Sequence, residues 1–128
     1  MKINKFEDLE IWKLSLFTTK HIYNITARRE FNDYGLKDQM RRAVVSISSN
    51  IVEGFEKSNN NELIRYLKIA KGSSGELRNQ LYIAKEINYI SQKDFTYIFD
   101  LLVKLSKQIG AFINYLQVKK NNKEFIKK

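Results

Sequence analysis

FTYIFDLLVKLSKQIGAFINYL, residues 95–116, decides the fold. Its apolar side chains Phe95, Ile98, Leu102, Leu105, Ile109, Phe112 and Leu116 recur at alternating steps of three and four. That spacing returns side chains to one face of an α-helix. Sustained over three heptads, it describes a seam that packs against other helices. Ser91, with Asp94 three residues later, reads as an N-cap pair, which places this helix at about residues 93–117.

Working back along the chain, Leu63, Leu67, Ala70, Ser74, Leu77, Leu81 and Ala84 keep the same rhythm and predict a helix over about 62–89. The small residues Ala70 and Ser74 let a facing helix come close. Asn59 followed by Glu62 resembles a capping box. A third stripe, Leu36, Met40, Ala43, Val44, Ile47 and Ile51, predicts a helix over 36–55, capped at Asn32 or Asp33 and stopped near Gly54. The polar run Lys57 to Asn61 is the loop that follows.

The first helix, about 8–28, differs. Leu9, Trp12, Leu16, Thr19 and Tyr23 share one face, while Ile11, Leu14, Ile22 and Ile25 cluster nearly opposite. A helix in a monomeric bundle normally shows one apolar stripe. Two stripes mean either a helix buried on both sides within one chain or a second stripe that meets another subunit. The second alternative makes Ile11, Leu14, Ile22 and Ile25 candidate interface residues. Four long helices joined by short breaks give an all-α, antiparallel up-down-up-down bundle over residues 1–118, with a basic tail over 119–128.

Composition narrows the rest. The 128 residues contain no Pro, no Cys, five Gly and a single His, His21. Thiol chemistry and Cys-based metal sites are excluded, and one His cannot furnish a di-iron bundle site or a catalytic triad. No apolar run approaches the roughly 20 residues that span a bilayer. Met1 to Asp8 has neither the apolar core nor the cleavage site of a signal peptide, so the expected location is the cytoplasm. The net charge is +9, and the tail from Lys119 carries four of those charges. Such a balance favours acidic partners, nucleic acid before anionic membrane, although the body alone is only modestly basic.

No phosphate-binding glycine loop is present. Glu53 and Glu76 fall on the predicted second and third helices, where they could approach each other, and without a metal or cleft signal they read as structural. No cofactor and no small-molecule substrate is expected. In Lys68-Ile69-Ala70-Lys71-Gly72-Ser73-Ser74-Gly75-Glu76, two glycines sit inside a helix, at about 1 kcal/mol each relative to Ala. Gly72 and Gly75 project away from the Leu63–Ala84 seam, toward Lys68, Lys71 and Asn79. Either the helix breaks here, or a neighbouring backbone or phosphate chain approaches its outer face. The polar strip Gln39, Arg42, Ser46, Ser49, Asn50 and Glu53 is either a solvated face or a subunit contact anchored by Arg42 and Glu53. Arg41 projects differently, near Val45 and Val52, as at an interface rim. The cations available for phosphate are Arg28, Arg29, Lys37, Arg41, Arg42, Arg65, Lys68, Lys71 and Arg78, with Lys119 and Lys120 leading the tail. No helix carries a dense Arg-rich reading face, so duplex sequence recognition is not expected.

Several of these blocks resemble a known family. They are Phe6-Glu7-Asp8-Leu9-Glu10-Ile11-Trp12, Tyr34-Gly35-Leu36, Asp38-Gln39-Met40-Arg41-Arg42-Ala43, Ser46-Ile47-Ser48-Ser49-Asn50-Ile51-Val52-Glu53-Gly54-Phe55, Ile69 through Leu77, and Gln80-Leu81. Together, over about residues 6–117, they resemble the four-helix proteins encoded in 23S rRNA intervening sequences, some called S23 ribosomal proteins. Val52 stands where that family usually has Ala, and Ser74-Gly75-Glu76 where it often has Leu-Ala-Glu, which is expected to loosen the third helix at Gly75. The resemblance implies an up-down bundle, a homopentameric ring and no enzyme activity. A more distant group, the accessory proteins of diversity-generating retroelements, is basic and binds nucleic acid. By that analogy RNA or DNA is the expected partner beside the chain's own copies.

Overall fold

The computed structural model describes residues 3–121, with side chains along the last helix as far as Lys119. A single 3-10 turn, Phe6–Asp8, leads into α1 (Glu10–Thr26), α2 (Tyr34–Phe55), α3 (Asn60–Glu86) and α4 (Gln92–Asn121). Among the described residues there is no strand. Each helix packs on the next and α4 closes on α1, while the diagonal pairs α1–α3 and α2–α4 stay apart. Ser46 Oγ lies 2.9 Å from Ser73 Oγ, and the Gly54 turn of α2 meets Tyr66 of α3. Ser74 Oγ lies 2.8 Å from Ser106 Oγ, and Tyr82 meets Phe95 and Phe99. In both pairs, later residues of one helix face earlier residues of the next.

Helix boundaries follow local chemistry. Asp33 caps α2 by accepting from the Leu36 N–H at 3.0 Å, and Asn59 caps α3 by accepting from the Glu62 N–H at 2.8 Å. Glu62 turns its carboxylate to Arg65, at 2.9 Å. Ser91 Oγ accepts from the Asp94 N–H at 3.1 Å, and α4 begins one residue later. The third helix stops at Glu86, short of the expected 89, because Asn88 turns left-handed at φ 64°. The Tyr89 N–H then donates to Ala84 O at 2.9 Å and the Asn88 N–H to Lys85 O at 3.0 Å, the Schellman pattern that consumes the last carbonyls. The fourth helix passes the expected end at 117 and runs to Asn121. No Gly or Pro follows Gly110, and Lys119 stabilises the negative end of the helix dipole. The expected tail boundary at 118 thus falls inside α4, and residues 122–128 lie outside the described residues.

α2 ends at Phe55, the expected residue and one past Gly54, although the left-handed conformation falls to Ser58, at φ 58°, and not to the glycine. A Cβ on Gly54 would sit 2.7 Å from Tyr66 Cβ and 3.3 Å from Leu63 Cα. Gly54 therefore marks a close approach of α2 to α3. Nor does α3 break at Gly72 or Gly75: it is continuous through both.

The seams read from α2, α3 and α4 face inward. Ile47, Ile51, Leu67, Leu77, Leu81, Leu102, Leu105, Ile109 and Leu116 are fully buried. Each contributes about 1.5–3 kcal/mol by leaving water. In α1 the inward face is Ile11, Ser15, Thr18, Ile22, Ile25 and Thr26. Ile11, Ile22 and Ile25 are thus core residues of this chain, not a facet open to a neighbour, and half-buried Leu14 packs beside them. The hydroxyls between them are satisfied within the helix: Ser15 donates to Trp12 O at 2.7 Å, Thr18 to Leu14 O at 2.8 Å and Thr26 to Ile22 O at 2.7 Å. The other stripe faces outward in part. Leu16 is 52% exposed, and Phe17 and Tyr23 are exposed beside it.

Candidate nucleic-acid interface

The cations singled out in the sequence divide by what they touch. Arg41 is half-buried on the α1–α2 seam. Its Nε donates to Thr26 Oγ1 at 2.9 Å, and its guanidinium lies 4.4 Å from the Tyr23 ring centroid. That geometry staples two helices and leaves little for a ligand. Arg42 pairs with Asp38 at 2.9 Å on the exposed face of α2. Arg65 pairs with Glu62 and stacks on Tyr66 at 4.5 Å; the hydrogen bond to Glu62 holds its guanidinium above the ordinary value. Arg28 pairs with Asp94, and Lys37 lies over Tyr34. Lys119 packs over the Tyr115 ring at 5.4 Å. Lys120 lies outside the residues whose side chains are described.

Lys68, Lys71 and Arg78 form no ion pair with any described residue. Lys71 and Arg78 project from α3 toward α4, where Lys107, absent from the candidates drawn from the sequence, joins them. These three line a hollow of about 530 Å³ with Val103, Ser106, Gly110, Ala111 and Asn114. Three cations border it and no carboxylate does. The Arg78 Nε–H is buried and donates to nothing among the described residues. A buried donor left unpaired costs about 1–3 kcal/mol; that atom is closed to solvent, so what an oxyanion in the hollow gains is the attraction of the three cations around it. The floor is low because Gly110 has no side chain: a Cβ there would meet Lys71 Cε at 3.7 Å. Gly75, half-buried beside Arg78, would place a Cβ 3.5 Å from Nη2. Sequence reading missed Lys107 because it lies off the α4 seam. Gly110, directly after the seam residue Ile109, was the available sign of a close approach.

The candidate subunit-contact residues separate as well. Gly72 faces open space, with nothing within 4 Å of where its Cβ would be. Asn50 is half-buried and donates to Ser46 O at 2.8 Å, so part of the polar strip on α2 turns toward α3 rather than outward. Glu53 is exposed at a shallow hollow of about 290 Å³ with Ser48, Ser49 and Val52. Glu53 and Glu76 are not brought together. Gly54 sits opposite Tyr66, so Glu76 lies about ten residues, roughly 15 Å, farther along α3. His21 is held edge-on between Phe17 and Tyr97, with ring centroids at 4.6 and 5.1 Å. No group of His, Asp and Glu suited to a metal occurs among the described residues, and none of the described helices is long and apolar enough to cross a membrane.

With this geometry in view, comparison with solved structures finds the fold in the crystal structure of a protein with unknown function from the S23 ribosomal protein family of Bacteroides thetaiotaomicron. The TM-score is 0.77 at 22% identity, over 81% of this chain and 95% of that one. Comparison with curated proteins finds no match. The family model described as 23S rRNA-intervening sequence protein matches residues 7–111, across all four helices. The chain therefore belongs to the 23S rRNA-intervening sequence protein family.

Proposed function

We propose that this chain is a non-catalytic, self-associating bundle that binds RNA or DNA through phosphate contacts, without reading base sequence. The single observation that carries the reading is the cationic hollow between α3 and α4. Lys71, Arg78 and Lys107 converge there with no carboxylate in the lining, while Arg28, Arg42 and Arg65 are each paired with an acid. Phosphate contacts supply affinity and release counterions, so the signature of this mode is a steep dependence on salt. Fluorescence anisotropy with a labelled RNA and a labelled single-stranded DNA tests it. Micromolar binding at about 50 mM salt, lost by tenfold or more at about 200 mM, is the expected result. No binding at micromolar protein in low salt overturns it.

Self-association rests on α1. Leu16, Phe17 and Tyr23 line a groove of about 560 Å³ with Lys13, Thr19 and Lys20, and an apolar facet of this kind favours a protein contact. The ring of five implied by the family resemblance is the arrangement proposed. The same facet favours a second reading, a scaffold that recruits a different protein. Light scattering with and without nuclease separates them: a pentameric mass supports the ring, and a monomer at all concentrations favours the scaffold.

A further inference from the structure

We infer that the α3–α4 groove is a site for single-stranded nucleic acid, in which Lys71, Arg78 and Lys107 hold a phosphate and Tyr82 stacks an adjoining base. The inference rests on the nucleic-acid reading above and adds to it a strand preference and a defined place on the surface.

Tyr82 lies one helical turn beyond Arg78 on the same side of α3. The residue is 48% exposed, yet its ring is held in place. Phe95 and Phe99 of α4 back it, with centroids at 5.0 and 5.2 Å, and these two stack on each other at 5.1 Å. Lys85 caps the cluster, 5.6 Å from the Tyr82 centroid and 4.4 Å from that of Phe95. On α4, Phe99 lies one turn before Val103, which lines the cationic hollow. The cationic recess and the aromatic platform are thus consecutive stations along the α3–α4 seam. Four residues of α-helix separate Arg78 from Tyr82, a rise of roughly 6 Å, which matches the reach from a nucleotide's phosphate to its own base.

The two stations ask for different things. A recess lined by cations accepts phosphate from any source. An exposed ring fixed by neighbours offers a π-face to any base that is free of its partner strand, and such stacking is tolerant of sequence. In a duplex the base faces are already occupied. The pair of stations therefore selects an unpaired strand over a duplex and over free polyphosphate.

Anisotropy titrations of the full chain test this with labelled oligo-dT, oligo-U, a mixed-sequence duplex of equal length, and inorganic tripolyphosphate as competitor. Tyr82→Ala should weaken oligo-dT and oligo-U binding by about fivefold or more and leave duplex binding unchanged, while Tyr82→Phe, which keeps the ring, should bind as the parent does. Arg78→Gln with Lys107→Gln should weaken all the nucleic-acid ligands, and Arg42→Gln, a cation paired on another face, should not. Gly110→Ala raises the floor of the recess without a clash and should lower affinity while raising thermal stability. Circular dichroism of each variant confirms the fold. Unchanged single-strand affinity in Tyr82→Ala, or equal losses for strand and duplex, overturns the inference and leaves the phosphate reading standing. Equal effects of Arg42→Gln and the double variant, or displacement of oligo-dT by tripolyphosphate at equal phosphate concentration, overturn it too. A parent protein that binds none of the ligands overturns the nucleic-acid reading itself.

Discussion

α1 and α3 each bury one face and leave another bare, but they arrange the apolar side chains left in solvent differently. On α3, Leu63, Leu67, Ala70, Leu77, Leu81 and Ala84 go inward and Lys68, Gly72 and Asn79 outward, and its exposed apolar residues stand apart, Ile69 thirteen positions before Tyr82, which adjoins Ile83. α1 mixes Ser15, Thr18 and Thr26 into its buried face and leaves Leu16, Phe17 and Tyr23 largely in solvent. The hydroxyls enter the core at little cost because each returns its hydrogen bond to the preceding turn. The outward apolar side chains have no such local remedy. The exposed apolar side chains of α3 are separated along the helix, whereas those of α1 share one groove, so the bare face of α1 is where a protein partner gains most.

The largest effect that tests this contrast lies within α1. Ile22 is fully buried, and Ile22→Ala should cost about 2–5 kcal/mol of unfolding free energy. Leu16→Ala should cost under about 0.5 kcal/mol in the dissociated chain. Urea melts at the lowest practicable concentration read both. Equal losses at the two sites would mean that α1 is rotated from the orientation described. Leu16→Asp should leave the dissociated chain folded and abolish any assembly seen by light scattering; assembly that survives it would remove α1 as the contact.

The same contrast explains what could be read from the residues alone. Three helices were legible because their apolar residues recur without interruption, and Asp33, Asn59 and Ser91 announced their caps. The two stripes of α1 were legible too, but not which one faces the core. Counting Ser15 and Thr18 as polar made the buried face look discontinuous, and Leu16 and Tyr23 made the exposed one look whole. Only the i−3 and i−4 carbonyl partners of those hydroxyls, a three-dimensional fact, reverse the choice. The cations met a similar limit. Arg78 and Lys107 are 29 positions apart in the chain, and the register that unites them is set by the Ser74–Ser106 contact. Arg42 and Arg65, in contrast, have their acids at four and three residues' distance, so their neutralisation was in plain view.

A smaller effect separates the two kinds of helical glycine on α2 and α3. Gly72→Ala adds a methyl in open space and should stabilise the chain by about 1 kcal/mol. Gly54→Ala drives a Cβ into Tyr66 and should destabilise by about 1–3 kcal/mol, because Tyr66 Cβ and Leu63 Cα lie at or next to the backbone and cannot swing aside. Thermal melts give both signs. If Gly72→Ala stabilises the isolated chain yet disrupts assembly, the outer face of α3 joins α1 as a subunit contact; if assembly is unchanged, that face is free for the nucleic acid.

The smallest effect concerns how α1 is tied down at its far end. Arg28, two residues beyond α1, pairs with Asp94 in the first turn of α4. The Arg28 hydrogen bond, helped by that from Ser91 and opposed by partial burial, holds the Asp94 carboxyl below its ordinary range. A depressed carboxylate pKa stabilises the fold above the unfolded-state value, near 4, and loses that contribution as pH falls through the folded value. The pair is partly in solvent, so Asp94→Asn should cost only about 0.5 kcal/mol at pH 7. The difference between variant and parent should begin to close as pH falls below about 4 and vanish only below the depressed folded value, where the folded carboxyl is neutral too. Melts at pH 7 and pH 3 measure it. A gap that persists unchanged at pH 3 would show that the contribution of Asp94 is not its charge, and that α1 is held to α4 by packing around His21 and Tyr97 instead.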